Sequence, residues 1–169
     1  MANQTVKTFQ QIWKQMDNAR RRQAATAFFT STETMGEKKR ITGFLAMKFK
    51  LRPQTAAKLP AERAGGYLAS FDTIDEPLAA LLIRSYLFDH QQPMLEMFLD
   101  AVQMPHEKGV IAEGNTVVPT AEALRVGVEK IRAAFSAEDV DLYLSALSAS
   151  DAETWANLPE ALGQKQGEA

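Results

Sequence analysis

Apolar positions recur at spacings of three and four along most of the chain, the rhythm of amphipathic helices rather than of strands. The densest stretch covers residues 77–104. Leu78, Leu81, Leu82 and Tyr86 follow helical spacing before Asp89, and Leu95, Phe98, Leu99 and Val102 follow it after Pro93. This pattern predicts two helices folded back on each other around a turn at residues 89–92, with the rest of the chain packed around them. Thr73 with Glu76 three residues later forms a capping box that opens the first of these helices. Pro93 suits the first helical position of the second, which ends near Met104 before Pro105.

Upstream, Phe9, Ile12, Trp13, Met16, Ala19, Ala27 and Phe28 predict one long helix over residues 6–29. Residues 31–36 suit a connection, and Thr34 with Glu37 marks the start of a second helix. That helix runs to about Leu51, because a residue before proline, here Pro53, is pushed out of helical geometry. Ile41, Phe44, Leu45 and Phe49 are its expected core stripe, and Gly43 with Ala46 makes a strip of small residues suited to a close helix contact. Residues 53–71 predict a short helical turn, a break at Pro60 and a short helix containing Gly65 and Gly66. Their rhythm is that of a helix-turn-helix, but Arg63 followed by glycines does not supply the base-reading donors a recognition helix needs.

After the central pair, GVIAEGNTVVP predicts a β-hairpin, with residues 110–112 and 116–118 flanking a Gly114-Asn115 turn. A lone hairpin is marginal in water, so this one must lie on helices or pair with another chain. Three C-terminal helices follow, opened by Thr120, by Ser136 with Asp139, and by Ser150 with Glu153. Leu124, Val128, Ile131 and Phe135 form the core stripe of the first; Val140, Tyr143, Leu144 and Leu147 that of the second; Trp155 and Leu158 anchor the third. The expected fold is all-α in the main, an orthogonal bundle of about six to eight helices with one small β-hairpin. Residues 1–163 make a single domain and 164–169 a frayed tail.

Composition narrows the chemistry. The chain has no cysteine, which excludes disulfides, thiolate metal sites and cysteine nucleophiles. The N-terminus reaches amphipathic periodicity at once, unlike a secretory signal, and the densest apolar run is broken by Arg84, Asp89 and His90. The expectation is therefore a cytoplasmic protein with no membrane span. Net charge is only −2, yet residues 1–63 hold 13 Lys and Arg against 4 Asp and Glu, while residues 64–169 hold 6 against 17. Such sorting suits either a basic surface for an acidic partner or two parts that neutralise each other within or between chains.

Neither histidine has a catalytic neighbourhood in the sequence. His90 and His106 bracket a helix roughly 18 Å long, so they do not share a metal. Glu96 and Asp100 lie four apart and face one way, but that face reads as the wet side of an amphipathic helix. Nucleophile elbows, phosphate loops and zinc-protease motifs are absent, and no cofactor or metal is expected. Met35, Met47, Met94, Met97 and Met104 fit an adaptable groove or, more ordinarily, core filler, and are taken as core. What remains is a polyanion-binding candidate: Lys14, Arg20, Arg21, Arg22, Lys38, Lys39, Arg40, Lys48, Lys50 and Arg52. The leading expectation is a non-enzymatic interaction or scaffold module that binds a protein partner or itself. The alternatives are sequence-nonspecific nucleic-acid binding through the basic helices, and a small-molecule enzyme whose site assembles from distant residues.

Overall fold

The structure, a computed structural model, describes residues 6–31 and 35–163. It is mainly helical, with ten α-helices among the described residues, eight of them seven residues or longer, and one two-stranded antiparallel hairpin. Two compact units divide the chain: Phe9–His90, and the described residues of Met1–Thr8 with Gln91–Ala169. Residue 34, half of one expected capping box, and the expected tail at 164–169 lie outside the described residues.

The first unit holds α1 (Phe9–Gln15), α2 (Asn18–Thr30), α3 (Met35–Lys48), α4 (Pro53–Ala57), α5 (Ala61–Ala69) and α6 (Glu76–His90). The single long N-terminal helix expected from the stripe is instead two helices. Asp17 takes an extended conformation and accepts the Arg20 N–H at 2.8 Å, which starts α2 afresh. The break rephases the stripe and leaves Ala19 exposed, while Ile12, Trp13, Met16, Ala27 and Phe28 stay buried. A seven-residue helix such as α1 is marginal alone, and side chains from elsewhere hold both its ends. The Glu76 carboxylate accepts the Phe9 and Gln10 N–H groups at 2.8 and 2.9 Å. Arg21 donates to the Trp13 and Lys14 carbonyls at 3.0 and 2.7 Å. Glu76 is thus not the partner of Thr73; Asp75 accepts the Leu78 N–H at the start of α6.

α2 is the spine of this unit, packed against α5 and α6. Its buried face is mostly alanine, so its neighbours come close. A Cβ placed on Gly65 of α5 would lie 2.7 Å from Thr26 Oγ1 and 2.9 Å from the Thr26 backbone nitrogen. The close helix contact expected at Gly43 is therefore found at Gly65, since a Cβ on Gly43 meets nothing within 4 Å. α3 ends in a Schellman motif: Lys50 takes φ 52° and Leu51 N–H reaches the Ala46 carbonyl at 2.9 Å. Short α4 and α5 appear on either side of Pro60, as the sequence predicts.

Only Gln91 separates α6 from α7 (Gln92–Ala101), so the four-residue turn expected there is absent. The division between units falls at this point: α6 packs against α1 and α2, and α7 packs against α8 (Ala121–Ala134). Gly127 lets α8 approach α7, for a Cβ there would lie 2.9 Å from Val102 Cγ1 and 3.1 Å from the Phe98 ring. Phe98 also stands 5.5 Å from Tyr143 and 5.8 Å from Trp155, ring to ring, at the middle of this unit's core. α8 further contacts α9 (Ala137–Ser150) and α10 (Leu158–Ala161). Thr120 and Ser136 cap α8 and α9 as expected. Ser150 does not open the third helix; it is the last residue of α9. Asp151 takes the Thr154 N–H and hydroxyl at 3.1 and 2.6 Å, and turns lead to the single turn of α10.

The hairpin exists, but one turn earlier than the Gly114-Asn115 signal places it. β1 (His106–Glu107) pairs with β2 (Val110–Ile111), His106 opposite Ile111. Lys108 and Gly109 connect them with φ 50° and 85°, both positive, as a type I′ turn demands. Asn115 is spent locally, its side chain bridging the Val117 N–H and carbonyl at 3.2 Å, so residues 116–118 form no strand.

Candidate functional site

Pro53 and Pro60 set the first residues of α4 and α5 and keep α4 to five residues, too short to cover the flank of α3. The result is an open groove of about 1040 Å³ between α3, α4 and α5. On the α3 side it is lined at helical spacing by Met35, Lys39, Gly43, Ala46 and Met47. Ala57 and Leu59 stand opposite, and Ala64 lies in the buried floor. Lys38 and Lys39 are the charged residues of its lining, which includes no acid.

The methionines taken as core filler divide. Met94 and Met104 are buried as expected, but Met35 is 71% and Met47 83% exposed, on the lips of this groove. Met97 is also exposed. At the sequence level Gly43, Ala46 and Met47 fit a buried helix face; among the described residues Ala46 is buried but Gly43 and Met47 are exposed, and pattern along one helix does not report what lies across from it.

The ten cations are not equivalent. Arg20 pairs with Asp17, holding that carboxyl below its ordinary value, the Arg20 backbone N–H being the largest cause and its side chain adding to it. Arg21 caps α1 and lies 5.7 Å from the Trp13 ring centroid. Lys38 donates to the Ser31 carbonyl. Arg40 reaches Glu37 at 3.0 Å and Asp75 at 3.9 Å. Lys14, Arg22, Lys39, Lys48, Lys50 and Arg52 are exposed and have no acidic partner within ion-pair distance among the described residues. Lys39 faces the groove, Lys48 the opposite flank of α3, and Arg22 lies against Gly66 of α5.

The histidines and paired carboxylates are engaged singly. His106 accepts the Gly109 N–H on Nδ1 at 3.1 Å, which leaves Nε2 to donate to Asp100 Oδ1 at 2.7 Å. This pins the hairpin to the end of α7. Glu96 accepts from Gln92 instead, and His90 stands 3.4 Å from Asp89. Among the described residues no three His, Asp or Glu side chains converge as a metal would require. Buried Asp139 is satisfied by Ser136 and Gln91, and burial pushes the Tyr143 hydroxyl well above the ordinary phenol value. In the second unit a smaller cavity of about 460 Å³ sets Lys7 and Arg132 beside Asp141, so its charges oppose one another.

Fold and groove define the chain as a mainly helical protein, and no helix among the described residues is long and apolar enough to cross a membrane. No protein-family model, curated protein or solved structure matches it.

Proposed function

We propose that the chain is a non-enzymatic interaction module whose α3–α5 groove receives an acidic amphipathic helix of a partner protein. The observation that carries this reading is an open apolar trough with lysines and no acid in its lining. Helices dock in such troughs through apolar residues at three- and four-residue spacing. Each leucine-sized anchor that leaves water contributes roughly 1.5–3 kcal/mol. Met35 and Met47 supply unbranched, polarizable lips that adapt to the anchor's shape, and Lys38 and Lys39 favour glutamate on the anchor's flanks.

Gly43 gives the test. Its Cβ direction is empty and opens on the groove, so Gly43→Leu fills the trough without a clash. It also removes a helical glycine, worth about 0.5–1 kcal/mol of stability. Titrating labelled protein with a synthetic helix bearing leucine on one face and glutamate on the other is expected to move amide signals of residues 35–64. Gly43→Leu should weaken that binding about tenfold or more while raising the unfolding midpoint. Equal binding by Gly43→Leu and the natural chain would sink the proposal.

A further inference from the structure

A second face of α3 lies away from the groove. Arg40, Phe44 and Lys48 recur at four-residue spacing and so line one side of the helix, opposite Met35, Lys39 and Ala46. From Phe44 a chain of rings runs across to α5: Phe44 to Phe71 at 5.5 Å, Phe71 to Phe49 at 5.7 Å, and Phe49 to Tyr67 at 4.4 Å between centroids. These rings are not sealed from water, since Phe44 is 40% exposed and the other three are half-buried. Four cations with no acidic partner within ion-pair distance among the described residues neighbour them in the fold or along the chain. An Arg22 guanidinium nitrogen lies 3.3 Å from the Cβ position of Gly66, one residue before Tyr67. Lys48 is one turn beyond Phe44, while Lys50 and Arg52 follow Phe49. Of the nearby acids, Glu37 and Asp75 share Arg40, while Asp72, beside Phe71, accepts a hydroxyl hydrogen bond from Thr73 and keeps its charge.

We propose that this face binds single-stranded nucleic acid without sequence preference, with bases stacked on Phe44 and Tyr67 and phosphates met by Arg22, Lys48, Lys50 and Arg52. An acidic peptide would satisfy the cations but leave the rings without a partner, and a duplex keeps its base faces stacked inside. Single strands offer both charge and an open π-face, the combination that stacking platforms use. The rings lie on the flank of α3 away from the groove, whose lining approaches the site only at Leu51 and Pro53, on either side of Arg52.

Fluorescence anisotropy of a labelled twelve-nucleotide oligothymidine with the full chain tests this, over a salt series. Binding at low salt is expected, with log K falling against log salt at a slope of about −3 for four phosphates. Phe44→Leu, which keeps the charge, should lose about tenfold or more in affinity with its circular dichroism unchanged. The double change Lys48→Gln with Arg52→Gln should flatten the slope by about 1.4, and it decides the matter if the Phe44 variant does not fold. Gly43→Leu should bind the oligonucleotide as the natural chain does. The proposal is overturned by no anisotropy change at low salt, by polyglutamate or duplex competing as well as single strand, or by full affinity in a folded Phe44→Leu.

Discussion

Single residues in this chain do different work according to what their Cβ or carboxylate meets, and three glycine and turn positions make that measurable. Gly65→Ala drives a methyl group into the Thr26 backbone, so despite alanine's better helix propensity it is expected to destabilise by about 1–3 kcal/mol. Gly43→Ala, with open space around it, should stabilise by about 0.5–1 kcal/mol; denaturant midpoints of the two variants check both signs. Gln103 closes α7 in a Schellman motif at φ 57°, where glycine carries no Cβ penalty. Gln103→Gly should therefore gain about 1 kcal/mol, read the same way. Asp17 has its carboxyl lowered from 3.8, so the stability it adds is present above that value and is lost as pH falls through the lower folded-state value. Asp17→Asn is expected to show a flatter acid limb in thermal melts, meeting the natural chain at low pH.

Elements were legible where their signals were local, and misread where the partner came from afar. Thr120 and Ser136 cap the helices that follow because their acceptors need only the N–H three residues on. The Thr73 and Ser150 boxes fail because an aspartate directly downstream, Asp75 or Asp151, is the better acceptor for the same turn. Gly114-Asn115 lost to Lys108-Gly109 because His106 accepts the Gly109 N–H and Asn115 bonds its own neighbourhood. Glu76 was legible as a helix-start residue but not as the clamp on α1, sixty-odd residues earlier. Glu76→Ala leaves the Phe9 and Gln10 N–H groups without their acceptor, and should cost about 1–2 kcal/mol. Hydrogen exchange at residues 9–15 should rise more than elsewhere in the unit. The groove was illegible for a physical reason: Gly43, Ala46 and Met47 have the pattern of a buried face, and among the described residues the five-residue α4 leaves Gly43 and Met47 of it exposed.

On the scale of the molecule, the two units differ in charge. Residues 9–90 contain 13 Lys and Arg against 8 Asp and Glu, whereas the remainder holds 6 against 13. The contrast is smaller than that between residues 1–63 and 64–169, because residues 64–90 hold 1 Lys or Arg against 4 Asp and Glu, so the first unit's positive excess lies in its N-terminal helices. Native-state hydrogen exchange in rising denaturant is expected to gather the slow amides into two cooperative sets parted at residue 91. A single set would make the chain one folding domain, as its length suggests. The chain is already equipped to report which. It has two tryptophans, and each is sealed in a different core: Trp13 fully buried in the first unit, with its indole N–H on the Phe71 carbonyl, and Trp155 at 2% exposure against Phe98 in the second. Each unit therefore carries its own built-in fluorophore, and replacing one indole with phenylalanine leaves a protein whose emission speaks for the other unit alone.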